Sequence, residues 1–280
     1  MKKILILFGL LGFFFLPELS AQFLDEKPTT GIYAENSTGV KKPIPLPSIR
    51  ESDVMWKKTV WREIDFRQKM NQGFYFPVTQ QGNWKNLITI LLDGVKSGEI
   101  TAYDAKDDGK GDLSVPVTYD KIYEQHTRED IKYITTEDGV EQKVIREEIN
   151  VANVTRCRIK ETWYFDKQRS QLMVRILAIC PIEMREDNEK MVPYTLFWIP
   201  FNDETRQLLV QQPFHNRSNT GAQLNYDEVF MKRMFDSYII REENVYDRAI
   251  VEYAQGIDAL HESERIKNSI IEFEQNLWEY

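Results

Sequence analysis

Residues 154–201 constrain the fold of this chain more than any other stretch, because they read as consecutive β-strands. The reading places strands at Thr155–Phe165, Leu172–Cys180 and Tyr194–Ile199. On the first, Cys157, Ile159, Trp163 and Phe165 fall on one face and Arg156, Arg158, Lys160 and Thr162 on the other. This is the period-2 alternation of a half-buried antiparallel strand. The second is apolar at almost every position, as a central strand is. Asp166–Ser170 between them is polar, with Asp at the opening position of a type I turn.

The register of this hairpin decides what the two cysteines do. If Asp166 pairs with Gln171, then Phe165 faces Leu172, Trp163 faces Val174, Ile159 faces Ala178 and Cys157 faces Cys180. The two apolar faces then coincide, and a slip of one residue separates them. Directly opposed residues lie about 4.5–5.5 Å apart at Cα, a range that a disulfide spans. The competing register pairs Phe165 with Gln171, gains a Glu161–Arg175 pair and puts the cysteines on opposite faces. Burial of a shared apolar face favours the first register over one exposed ion pair worth about 0–1 kcal/mol. Cys157 and Cys180 are thus a candidate disulfide, against the alternative of two buried free thiols.

The chain begins with Met1-Lys2-Lys3, an apolar run from Ile4 to Leu16, and Ser20-Ala21 before Gln22. This pattern predicts a secretory signal peptide over residues 1–21, cleaved after Ala21. The run is short for a membrane span, which needs about 20 residues. Gln22, not cysteine, stands directly after the expected cleavage site, so the mature chain is expected to be soluble, extracytoplasmic and not itself lipidated. That compartment is oxidising and permits one disulfide. The 280 residues carry a formal net charge of −8. That balance argues against nucleic acid and anionic lipid surfaces as partners.

Residues 22–51 read as an extended arm with Pro28, Pro43, Pro45 and Pro47 and no helical period. Pro43-Ile44-Pro45-Leu46-Pro47 is expected to be polyproline-like. It is read either as a loose leader or as a strap laid on a neighbouring subunit.

Residues 52–280 are expected to form a single α+β domain, mainly an antiparallel sheet flanked by helices, with C-terminal helices over 225–280. A first helix is expected over Ser52–Met70, with Ser52 as N-cap and Trp56, Val60 and Ile64 at i, i+4, i+8. Asn83–Ser97 is the clearest helix, ended by Gly98. Tyr119–Thr127 reads as a turn or two of helix. Ile131–Thr135 and Val140–Val144 flank Asp138-Gly139, a hairpin signal. Asn202–Arg206 reads as a turn and Leu208–Gln212 as a short strand. Asn225–Ile240 reads as a helix with a capping box to Glu228, and a final amphipathic helix follows Gly256.

The candidate chemistry is weak throughout. Asp104–Asp112 resembles a calcium loop at Asp104, Asp108 and Gly109. Lys106 and Val115 stand where a central acid and the bidentate acid belong, so a solvated acidic loop is the better reading. His215 with Asp203 or Ser218 suggests a hydrolase triad on paper, but no Gly-x-Ser-x-Gly elbow exists. The acids are too numerous for any pair to signal glycoside cleavage. No catalytic, cofactor or metal residue is assigned.

Several long patterns together resemble the gliding-motility/type IX secretion protein family known as GldN or PorN. They are Val54–Asp65, Arg156–Lys167, Val174–Pro181 and Leu196-Phe197-Trp198. The resemblance covers nearly all of the chain expected after cleavage, with the proline arm its weakest part. It implies a non-enzymatic periplasmic subunit without cofactors, peripheral to the inner face of the outer membrane. The implied partners are an outer-membrane lipoprotein of the GldK/PorK type, with which it forms a large ring, and the periplasmic part of a GldL–GldM type motor. An extracytoplasmic hydrolase and a periplasmic binding module remain as alternatives; the last would be monomeric with a deep pocket.

Overall fold

The computed structural model describes residues 42–105, 110–136, 139–147, 149–187, 190–215 and 224–277. The expected signal peptide and arm residues 22–41 lie outside them. In chain order the elements are β1 (Val54–Asp65), α1 (Gln72–Tyr75), α2 (Leu87–Ser97), β2 (Ala102–Tyr103), β3 (Pro116–Val117), α3 (Tyr119–His126), β4 (Arg128–Thr136) and β5 (Gly139–Glu147). There follow β6 (Val154–Asp166), β7 (Gln171–Asp187), β8 (Lys190–Thr195), β9 (Ile199–Pro200), α4 (Asp203–Gln211), β10 (Pro213–Phe214), β11 (Leu224–Asn225), α5 (Tyr226–Met231), β12 (Tyr238–Glu242) and α6 (Ile257–Asn276). The main sheet runs β12-β1-β6-β7-β8, with β9 also paired to β7. Every pairing is antiparallel. The architecture is the expected α+β one.

The β1 strand corrects the first helix expected over Ser52–Met70. Trp56, Val60 and Ile64 are four apart, and a spacing of four is also even, so the three share one face of a strand as readily as of a helix. Val60 and Ile64 are fully buried on that face, while Trp61, 7% exposed, packs on the other. Burial alternates over Val54–Lys58, but Val60–Ile64 is buried on both faces, so the alternation is lost there.

The β6–β7 hairpin keeps the expected register at its closed end, with Asp166 opposite Gln171, Phe165 opposite Leu172 and Trp163 opposite Val174. It then departs from it. A bulge between Lys160 and Glu161 brings Ile159 opposite Ile179, Arg158 opposite Cys180 and Cys157 opposite Pro181. The extra residue is Leu177, whose carbonyl accepts the Phe201 N–H at 2.8 Å instead of bonding within the ladder. One added residue reverses the side-chain parity beyond it. Cys157 therefore joins the main core and Cys180 a second cluster with Trp61, Ala178 and Trp198. Both are buried, and no disulfide joins them in this structure. Because β7 is buried on both faces here, its composition carries no preference that would have revealed the slip.

Other expectations shift for local reasons. The third strand expected at Tyr194–Ile199 divides into β8 and β9, and Leu196, Phe197 and Trp198 between them run buried. The strand expected at Leu208–Gln212 is the second half of α4, which starts where the Asn202 side chain accepts the Thr205 N–H at 3.0 Å. The helix expected over Asn225–Ile240 stops at Met231, and Tyr238–Glu242 is an edge strand instead. Its start is as expected, with Asn225 accepting from the Glu228 N–H at 2.8 Å and donating to the Glu228 carboxylate at 2.9 Å. The α2 helix starts where Asn86 accepts the Thr89 N–H at 2.7 Å and ends at Gly98, whose φ of 77° suits a residue without Cβ. The β4–β5 hairpin forms with Thr136 opposite Gly139; its expected Asp138 turn lies outside the described residues.

The main core lies between one face of the sheet and α2, α4 and α5. Its centre is aromatic, with Phe74 ring centroids 5.4 Å from those of both Phe214 and Phe230. A smaller cluster of Val60, Ile239, Ile250, Ile266 and Ile270 seats α6 on the sheet. No described helix is long and apolar enough to cross a membrane.

Candidate functional site

A wide concave surface lies among the described residues where the chain leaves β1. Asn71, fully buried, braces this turn. Its amide donates to the Asp65 and Asp236 carbonyls, each at 2.9 Å, and accepts the Asp236 N–H at 2.9 Å. The α1 turn then drives Phe74 into the aromatic core and leaves Phe76 more than half exposed. Asn86 donates to the Pro77 carbonyl at 2.9 Å and fixes the outer wall. Gly73 lies directly against the Phe214 ring, where a Cβ would overlap it.

The result is a groove of about 1290 Å³ lined by Met70, Phe76, Trp84, Phe214, Leu224 and Met234, with Lys69 and His215 also on its wall. Met70, Phe76, Trp84 and Met234 are 59%, 53%, 39% and 37% exposed. Large apolar side chains gathered in one exposed concavity mark a binding surface. Thioether side chains adapt to irregular partners, and aromatic ones supply contact area at low entropy cost. The frame is rigid while the lining is adaptable, which suits recognition of a protein surface.

The histidines do not converge on chemistry. His215 is exposed, and its ring meets Trp84 edge to face at 5.4 Å. Asp203 sits 4.0 Å from Arg206, and Ser218 lies outside the described residues. His126 is held by the Leu196 carbonyl at 3.1 Å and the Arg185 guanidinium at 3.3 Å, and His261 is exposed on α6. Among the described residues no group of His, Cys, Asp and Glu could hold a metal ion. Residues 106–109 of the acidic loop lie outside the description. Two carbonyls beside them are already engaged, Lys110 by the Trp61 indole at 2.9 Å and Gly111 by the Lys160 ammonium at 3.0 Å.

The arm residues lie apart from the groove. The Pro47 carbonyl accepts from Arg175 at 2.8 Å. Arg175 pairs with Thr162, and so lies on the sheet face of the Thr59–Thr162 hydroxyl contact, opposite Trp163 and the main core. Ile44 and Pro45 are exposed, Ile44 at 73%, and Pro43, Leu46 and Pro47 are half-buried. Of the cysteines, burial pushes the Cys157 thiol well up.

Sequence reasoning missed the groove because its residues come from separate segments of the chain. Met70 closes the helix expected over Ser52–Met70, Trp84 falls in the apolar stripe of the helix expected over Asn83–Ser97, and Phe76 carries no expectation. The usable signal was the pairing of exposed-loop aromatics with proline at Phe76-Pro77.

A family model described as gliding motility associated protein GldN matches residues 49–279. No curated protein matches the chain.

Proposed function

This chain belongs to the GldN family of gliding motility associated proteins, and from that premise we propose that it works through its surfaces, as a structural subunit and not as an enzyme. It is a component of the gliding and type IX secretion machinery. In this reading it sits in the periplasm at the inner face of the outer membrane. There it builds a ring with a lipoprotein of the GldK/PorK type and meets the periplasmic part of a GldL–GldM type motor.

The observation that carries the reading is the groove, where Met70, Phe76, Trp84 and Met234 stand exposed on a frame fixed by Asn71 and Asn86. A reactive pocket needs a nucleophile or base held within hydrogen-bond reach of a partner group. The groove offers an apolar lining instead. The arm at Pro43–Pro47 suits a second contact, in which each subunit grips the next through a repeated heterologous interface.

The test is co-expression with the lipoprotein, comparing the wild type with a Phe76→Ser/Trp84→Ser double variant. Both side chains project outward, so the variant should melt as the wild type does. Truncating an anchor residue costs about 1–4 kcal/mol, so the large assembly should be lost or weakened more than tenfold. An assembly that survives this replacement, from a variant that still binds lipoprotein normally, removes the groove from the reading. A purified monomer that turns over a small substrate removes the structural role itself.

A further inference from the structure

A second, smaller cavity of about 150 Å³ lies between the sheet and α6, lined by Arg62, Trp163, Arg233, Lys267, Ile270 and Ile271. Three of its six walls are cationic in a chain of net charge −8. At its floor Glu161 is fully buried, and its two oxygens are already taken. The Arg233 guanidinium donates to Oε2 at 2.7 Å and to Oε1 at 3.3 Å, and the Trp163 indole donates to Oε1 at 2.9 Å. Arg62, only 8% exposed, stands 3.7 Å from Glu161 and donates to the Ser237 hydroxyl and carbonyl at 2.9 and 2.8 Å. Arg233 has a φ of 52°, sparsely populated for a residue with a Cβ, and its guanidinium lies 5.5 Å from the Trp163 ring centroid. Lys267 has no carboxylate in ion-pair range among the described residues.

We propose that this cavity binds one carboxylate group carried on a short apolar stem. Charge balance and shape both lead there. The cations are Arg62, Arg233 and Lys267, three in all. The acids that face them are Glu161 and, at longer range, the exposed Asp236. One positive charge is left in excess, which a monoanion matches and a phosphate dianion overshoots. Ile270, Ile271 and the Trp163 ring supply apolar contact for a stem, and the volume suits a side chain of glutamate size better than a lipid headgroup. Burial already pulls the Arg62 guanidinium below its usual range, so a further anion relieves a cation held partly out of water. The carboxylate comes from an acidic side chain of a partner protein or from a free small acid.

The experiment follows the Trp163 indole N–H resonance, identified by its loss in Trp163→Phe, while sodium butyrate is added to the full chain at constant ionic strength. Sodium phosphate is added in a parallel series. Butyrate should give a saturable shift at millimolar concentration. Lys267→Gln, at an exposed helix position, should keep its melting temperature and weaken that binding at least tenfold. Lys267→Glu removes the excess positive charge and adds a negative one, so it should abolish the response to butyrate altogether. If the natural carboxylate belongs to a partner, Lys267→Gln also lowers recovery of the co-expressed lipoprotein; if it is a free acid, recovery is unchanged. Absence of a saturable shift, equal affinity in Lys267→Gln, or tighter binding of phosphate than of butyrate overturns the proposal. None of these outcomes bears on the groove, so the two readings fail separately.

Discussion

Arg206 and Asp227 meet through two parallel hydrogen bonds, Nε to Oδ1 at 2.8 Å and Nη2 to Oδ2 at 3.0 Å, with Arg206 fully buried and Asp227 3% exposed. The pair ties α4 to α5 beside the aromatic core. Two charges taken out of water carry a desolvation cost that only good geometry offsets, and removing one partner leaves the other uncompensated. Asp227→Asn is therefore expected to destabilise the fold by about 3–5 kcal/mol, read as a fall in the denaturation midpoint at unchanged slope. Replacing both residues with leucine or methionine should recover most of that loss, because neither charge is then stranded. A single variant as stable as the wild type would show that the pair is not sealed from solvent.

This pair also marks the limit of the sequence reading. Arg206 was placed in a turn and Asp227 in the first turn of a helix, with nothing in their spacing to join them. Features set by neighbours in the chain were legible: the Asn225–Glu228 cap, the Gly98 stop, the closed end of the β6–β7 hairpin and the start of α6 after Gly256. Features set by distant neighbours were not. Trp56, Val60 and Ile64 fit both periods, and only burial on both sides of β1 decides between them. The Leu177 bulge answers to the Phe201 N–H, which arrives from outside the hairpin. The groove depends on Met70, Phe76, Trp84, Phe214 and Met234 converging from separate segments of the chain, so no single window of sequence contains it.

The bulge has a direct chemical consequence for the cysteines. With Cys157 opposite Pro181 and Cys180 opposite Arg158, the two side chains point to opposite sheet faces. Burial, first among the causes, and the neighbouring Cys180 both hold the Cys157 thiol protonated, and the thiol form is a poor nucleophile. The native protein at pH 8 should therefore resist a thiol reagent. Unfolded in denaturant without reductant, it should titrate both of its cysteines. Recovery of no thiol after unfolding would mean that the oxidised protein adopts the continuous register, with Cys157 facing Cys180.

Acid should loosen the closed end of the same hairpin. The Arg169 guanidinium holds the Asp166 carboxyl below its ordinary range, helped by the N–H groups of Gln168 and Arg169 at 2.9 and 3.4 Å. A carboxyl with a folded-state pKa below its unfolded value adds stability above the unfolded value, about 3.9 for Asp. That contribution disappears as pH falls through the depressed folded value. Stability should therefore decline below about pH 4, and Asp166→Asn should flatten that part of the profile while lowering stability at pH 7. Equal slopes for the two proteins would remove Asp166 from the acid response.

The arm offers a separation between folding and assembly. Residues 23–47 precede β1, and their described part touches the body through one Arg175–Pro47 hydrogen bond and three half-buried side chains, with Ile44 left almost free. A segment so lightly held contributes little to the core, since surface changes of this kind move stability by about 0.5 kcal/mol. Deleting residues 23–47 should leave the melting temperature of the remaining chain within a few degrees of the wild type. If the arm grips a neighbouring subunit, the same deletion should convert the large assembly with the lipoprotein into small complexes, as judged by size-exclusion chromatography and electron microscopy. Arg175→Ala should act in the same direction but more weakly, because it frees the base of the arm without removing Ile44 or Leu46. An intact ring built from the deleted chain would show that the arm is a leader and that the subunits join through other surfaces.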